Sequence, residues 1–148
     1  MNYTIRKTHI DDLPEILELI KEFHAESLND FGVFFDEGVV KDVMPKLIET
    51  SLVSLIDNKI NGVVAGFITS HIISKEKLMQ EVIWFVSKKT RRSGIKLYKA
   101  FEKMCKDMKI KHIVMVNMGK TRNEVFERFY KSQGYELLEV QYIKSLEV

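Results

Sequence analysis

The chain has 148 residues, 45% of them hydrophobic and 30% charged, enough apolar content for one globular domain to bury its own core without staples. A single cysteine, Cys105, excludes an internal disulfide, and no segment reads as a signal peptide or a membrane span. The expected setting is therefore reducing and cytoplasmic with no membrane partner, and a formal charge of only +2 argues against a dedicated nucleic-acid binder.

Residues 3–5 open the chain as a short strand. Asp12 followed by Glu15 has the capping-box spacing, and Leu13, Ile16, Leu17, Ile20, Phe23 and His24 recur behind it at helical spacing. A second helical pattern covers 37–48, after an aromatic loop holding Phe31, Phe34 and Phe35, with Pro45 placed to kink it. Residues 51–56 read as a strand. Two turn signals follow, Asp57 with Asn58 and Asn61 with Gly62, and the pattern leaves open which pair makes the reversal. Segments 63–73 and 80–86 read as two apolar strands joined across the loop 74–79. The period then changes: Leu97, Tyr98, Phe101, Met104, Cys105 and Met108 share one face of a helix. Residues 112–118 read as a buried strand, and Thr121 with Glu124 opens a further helix whose apolar side carries Val125, Phe126, Phe129 and Tyr130. Gln133, Gly134 and Tyr135 stop that helix, and 135–144 reads as a last strand. With no linker, repeat or low-complexity segment, residues 1–148 are expected to form one domain of mixed α/β (α+β) class, mainly antiparallel in its first half with a β-α-β crossover in its second.

Charge is unevenly spread. Between 88 and 111 ten lysines and arginines face only Glu102 and Asp107. Alone, such a run reads as a solvated helix face. It begins, however, where a strand ends at Val86 and a helix starts near Gly94, with Ser87, Lys88, Lys89, Thr90, Arg91, Arg92 and Ser93 between. The first amides of a helix lack intrahelical partners and carry the positive end of its dipole, so a turn with arginines and a glycine at that point suits an anion such as a pyrophosphate. Arg91 and Arg92 would add charge-assisted hydrogen bonds.

The run Arg91, Arg92, Ser93, Gly94, Ile95, Lys96 resembles the Gln/Arg-x-x-Gly-x-Gly/Ala phosphate-binding motif of the GNAT N-acetyltransferases, preceded as in that family by a hydrophobic strand, with Lys96 where the pattern has a small residue. Downstream, Asn123, Phe126, Phe129, Tyr130, Gly134 and Tyr135 resemble the family's late motif. The resemblance follows the element order of nearly the whole chain, with specific residues confined to 82–135.

It implies a mixed central sheet with helices on both faces, and acetyl-CoA as co-substrate of an N-acetyltransferase. The acceptor would be a primary amine, on a small molecule or a protein, attacking the thioester directly. By the same resemblance Tyr130 is the general acid, and Arg91 to Lys96 hold the pyrophosphate. Asn123 and the backbone of Phe85 and Val86 would bind the pantetheine arm. Glu81, on the strand leading into the phosphate turn, is the candidate base, with His71 as fallback, although strict alternation puts Glu81 on the side of Ile83 and Phe85. The acceptor is expected near the first two helices and the loop 31–35, beside Asp30 and Asp36.

Each residue has a plainer reading: Tyr130 as a core aromatic with a wet tip, Asn123 as a helix cap, Glu81 as an exposed strand residue and Trp84 as core. Cys105 is expected to be buried. No Cys/His cluster has metal-ligand spacing, so no metal is expected. Enzymes of this kind often form symmetric dimers, which leaves a homodimer open. Two competing readings remain: a GNAT-fold module that senses coenzyme A or binds a partner without catalysis, and a nucleic-acid binder using 88–111. The scarcity of aromatics among those lysines counts against the latter.

Overall fold

The computed structural model describes residues 2–118 and 124–147. In chain order the elements are β1 (Tyr3–Lys7), α1 (Leu13–Ser27), α2 (Glu37–Val43), β2 (Ser51–Ile56), β3 (Lys59–Ser70), β4 (Lys77–Val86), α3 (Gly94–Asp107), β5 (His112–Val114) and α4 (Glu124–Ser132). The strands form one mixed sheet in the order β1-β2-β3-β4-β5. The first four are antiparallel neighbours, and β5 runs parallel to β4 after the α3 crossover. This is the expected fold class.

Each face of the sheet has its own core. Ile16 and Leu19 of α1 and Met44 and Leu47 of the turn after α2 pack on Val53, Val63, Ile83 and Phe85. On the opposite face Leu97, Phe101, Met104 and Cys105 of α3 pack on Leu52, Val64, Met79 and Val86. Full burial of such a side chain contributes about 1.5–3 kcal/mol, so the α3 seam is a principal anchor of the helix that carries the basic turn.

Several expectations change in detail. Asp12 does not cap α1 with its side chain. It is buried, accepts both Arg6 guanidinium hydrogen bonds at 2.7 and 2.9 Å, and takes the His9 amide at 2.7 Å. The Arg6 hydrogen bonds chiefly hold its carboxyl below the usual aspartate range. Asp57 and Asn58, both at left-handed φ, make the β2–β3 reversal, leaving Asn61 and Gly62 inside β3. Pro45 lies in the first turn of a 3-10 segment over Met44–Thr50 that follows α2, rather than kinking one continuous helix.

Strand β3 ends at Ser70, and Ile72 and Ile73 lie fully exposed beyond it. β5 ends at Val114, four residues short of its predicted end. Thr121, the expected cap of α4, lies outside the described residues. The strand expected over 135–144 does not form: 136–147 carries no regular element, and Leu137, Leu138, Tyr142 and Ile143 are exposed. Alternation marks a segment able to pair but says nothing about whether a sheet edge runs beside it.

The registry of β4 matters most. Ala65 pairs with Ile83 but the next β3 residue, Gly66, pairs with Glu81, so Val82 is an extra residue that bulges out of the ladder. A Cβ on Gly66 would lie 2.6 Å from the Gln80 carbonyl oxygen and 2.9 Å from Met79 Sδ, so the bulged backbone requires a glycine opposite it. The bulge shifts the alternation by one, and Glu81 falls on the face of Trp84 and Val86, not that of Ile83 and Phe85.

Candidate active site

Beyond Gln80, β4 loses its second neighbour. β5 pairs only with Leu78, Met79 and Gln80, so from Glu81 to Val86 the strand has β3 on one side and no strand on the other among the described residues. This bare edge runs straight into the basic turn. Glu81 stands opposite Gly66 and Val86 opposite Gly62, so with Val82 bulged out they are roughly 13 Å apart along it, four rises of about 3.3 Å.

The turn itself, Lys88–Ser93, is 3-10 in character, with Thr90 departing from helical angles. It is fixed from below by the buried Asn61. That side chain donates to Thr90 Oγ1 at 2.8 Å and to Ser93 Oγ at 3.1 Å, while its backbone carbonyl accepts the Ser87 amide at 2.8 Å. The Tyr3 hydroxyl donates to the Ser93 carbonyl at 3.1 Å, and Lys96 Nζ sits 5.3 Å above the Tyr3 ring. Lys96 is thus exposed and leans on β1. Gly94 begins α3 at ordinary helical angles, and a Cβ there would meet Val86 and Trp84 at normal contact distance. Arg92 and Ile95 are exposed, and Arg92 has no ion-pair partner among the described residues. Arg91 and Lys88, by contrast, meet Glu26 of α1.

At the other end of the bare edge stands Glu81, 7% exposed with no ion-pair partner among the described residues. Loss of hydration pushes its carboxyl up to about 8. Its charge, when present, also raises Tyr130, whose phenol is lifted above the usual tyrosine value first by burial and then by Glu81 and Tyr135. The Tyr130 hydroxyl donates to the Val116 carbonyl at 2.9 Å, just past the end of β5. The bulge therefore brings Glu81 into the electrostatic reach of Tyr130.

Between the two ends lies an aromatic cluster centred on Trp84. Its ring is within 5.6–6.2 Å of Tyr98, Phe126, Phe129 and Tyr130, and its Nε1–H donates to the Gly94 carbonyl at 3.1 Å. Trp84 is half-buried and ties β4 to the first turn of α3 and to α4, a role that its apolar neighbours in sequence hid. The Tyr98 hydroxyl donates to Glu102 at 2.8 Å and lies 3.0 Å from that of Tyr135. Behind this cluster Cys105 is 1% exposed, and burial, with a smaller push from Glu102, raises its thiol to about 12.

The arrangement can hold an anion at the turn, pair an extended chain along β4, and present a carboxyl and a phenol at the far end. A model of the acetyltransferase (GNAT) family matches residues 13–135. The chain belongs to that family. GNAT acetyltransferases are also its structural neighbours. A ribosomal-protein-alanine N-acetyltransferase from Brucella melitensis biovar Abortus 2308 superposes with a TM-score of 0.74 at 15% identity, over 99% of this chain and all of that one. Glucosamine-6-phosphate N-acetyltransferase from Arabidopsis thaliana gives 0.71 at 14% identity, again over 99% of this chain and all of that one. An aminoglycoside N-acetyltransferase in complex with CoA gives 0.71 at 12% identity, over 99% and 96%. No curated protein sequence matches significantly.

Within this GNAT chain, Glu81, Phe85, Val86, Arg91, Arg92, Ser93, Gly94, Ile95, Lys96 and Tyr130 all lie on β4, the basic turn, the start of α3 or α4. Asn123 lies outside the described residues. His71 does not join the site: it follows the end of β3 distant from the turn, exposed, with its ring 5.7 Å from that of His112. Among the described residues there is no group of three or more His, Cys, Asp or Glu able to hold a metal, and no helix long and apolar enough to cross a membrane. Asn61 and Trp84 were missed as site residues. Asn61 with Gly62 reads only as one of two candidate hairpin turns, and a tryptophan between Ile83 and Phe85 as core.

Proposed function

We propose that the whole chain is one acyl-CoA-dependent N-acetyltransferase domain that moves an acetyl group from acetyl-CoA to a primary amine. The observation that carries this is the bare edge of β4, with a basic turn just beyond Val86 at one end and the Glu81–Tyr130 pair at the other, Glu81 lying roughly 13 Å from Val86, a separation suited to an extended pantetheine arm. Arg91, Arg92 and the amides from Ser93 to Lys96 would hold the pyrophosphate. Phe85 and Val86 would lend backbone hydrogen bonds to the arm as an added strand does, helped by Asn123.

Acetyl-CoA supplies the activated thioester. With its high affinity for a proton, Glu81 in its carboxylate form is a base strong enough to draw one from an ammonium group, directly or through water. The freed amine nitrogen would form a bond to the thioester carbonyl carbon as the carbon–sulfur bond breaks; Tyr130 would give its phenolic proton to the leaving thiolate, and the second proton that the nitrogen sheds on becoming an amide would return, directly or through water, to the Tyr130 phenolate. A phenol whose deprotonation is disfavoured by burial keeps that proton available at any physiological pH. The acceptor would approach along α1, α2 and the loop bearing Phe34, which is 94% exposed. Two structural neighbours are named for their acceptors, glucosamine-6-phosphate and a ribosomal-protein alanine, and an amine of either kind, on a small molecule or on a protein, is the acceptor class proposed here.

The test is calorimetric titration with acetyl-CoA, followed by an amine screen comparing wild type with Tyr130→Phe. Micromolar binding and turnover, with kcat lowered on the order of 10²-fold or more by Tyr130→Phe at unchanged coenzyme affinity, is the expected result. Absence of binding overturns the reading. Binding without turnover on any amine returns the chain to a coenzyme-sensing role.

A further inference from the structure

Two carboxylates of α1, one helical turn apart, sit on the basic turn. Glu22 Oε1 accepts the backbone amide of Lys88 at 3.1 Å. Glu26 Oε2 lies 2.6 Å from Arg91 Nη2, and its Oε1 lies 3.4 Å from Lys88 Nζ. The Glu26 side chain is only 20% exposed, and Oε1 is buried without a hydrogen-bond partner among the described residues. A carboxylate meets a guanidinium and an ammonium with the same geometry and charge logic as a phosphate oxygen. One oxygen of Glu26 is thus saturated by Arg91 while the other is poorly satisfied, as expected of an anion that fits its site incompletely.

We propose that Glu26 is an internal anion occupying the phosphate-facing side of Arg91, and that a coenzyme pyrophosphate must displace it in order to bind. This rests on the coenzyme reading given above. Two consequences follow. Without coenzyme, Glu26 keeps the arginine ordered and screened against adventitious anions. With coenzyme, part of the electrostatic gain goes to breaking the Glu26 contacts, so Glu26 lowers affinity and favours ligands with a full pyrophosphate over monoanions. A purely structural Glu26, holding the turn in its binding shape, has the opposite effect on affinity, and the two roles separate cleanly.

The experiment is titration of the full chain with coenzyme A and, separately, with inorganic pyrophosphate, for wild type, Glu26→Gln, Glu18→Gln and the pair Arg91→Gln and Glu26→Gln/Arg91→Gln. Glutamine keeps the size of the side chain and one acceptor oxygen while removing its charge. Glu18, paired with Lys21 at 3.1 Å elsewhere on α1, controls for the loss of one negative charge without touching the turn. Glu26→Gln is expected to tighten coenzyme A about three- to tenfold, the range of a partly exposed ion pair. Glu18→Gln should leave affinity unchanged, and the gain should vanish in the Arg91→Gln background. Unchanged or weaker binding by Glu26→Gln overturns the inference, as does equal tightening by Glu18→Gln. If wild type binds coenzyme A and Glu26→Gln gains nothing, only this inference falls. If neither binds, the coenzyme reading falls and takes this one with it.

Discussion

Replacing Glu81 with glutamine should make the protein more stable at neutral and alkaline pH, although it removes the proposed base. The carboxyl is pushed up to about 8 by burial, against an ordinary value of 4.5. The folded state therefore binds its proton more tightly than the unfolded chain does. That contribution to stability is complete below about 4.5 and fades as pH rises, levelling off once the folded carboxyl ionises near 8. Across this window the slope is about 1.4 kcal/mol per pH unit, so the loss amounts to roughly 3 kcal/mol by pH 7 and on the order of 5 kcal/mol above pH 8. Glutamine never ionises and escapes the loss. Urea unfolding of both proteins at pH 5, 7 and 9 would read it directly: similar stabilities at pH 5, then a growing advantage for Glu81→Gln. Parallel pH profiles for the two proteins would refute the placement of Glu81 in a dry pocket, and with it the bulge that turns it there.

Two further substitutions probe the frame of the site. Trp84→Phe deletes the Nε1–H donor to the Gly94 carbonyl and should cost about 1–2 kcal/mol in urea while weakening coenzyme binding at the adjoining turn; a variant unchanged in both would remove Trp84 from the site. Gly66→Ala forces a methyl to 2.6 Å from the Gln80 carbonyl oxygen and should destabilise by about 1–3 kcal/mol, whereas a loss below about 0.5 kcal/mol would mean that the bulge relaxes freely.

What the sequence made legible follows from what periodicity encodes. The apolar stripe from Leu97 to Met108 gave α3 and its buried face, and the basic turn stood out because Arg91, Arg92 and Gly94 sit where the period changes from two to helical. The side chosen by Glu81 was illegible, because alternation presumes an unbroken pleat and Val82 inserts one residue into it. The sequence left open whether Asp57-Asn58 or Asn61-Gly62 makes the reversal, and since Asp57 and Asn58 adopt the left-handed angles, Asn61 is left free to brace Thr90 and Ser93. Glu22 and Glu26 resembled ordinary solvent-facing residues of an amphipathic helix. Their partners lie more than sixty positions away, and no local pattern announces a contact of that range. The segment 135–144 shows the converse, a strand-like pattern that pairs with no edge of the sheet.

Cys105 gives the protein a practical property. The chain contains one thiol, held on the buried face of α3 with its ionisation pushed up to about 12, so very little of the thiolate that reacts with disulfide reagents is present at pH 7. A chromogenic disulfide added to the folded protein should therefore stay colourless until another thiol is set free in solution. Acyl transfer from a thioester liberates one thiol per turnover, which would let any amine be scored by continuous absorbance against a silent protein background.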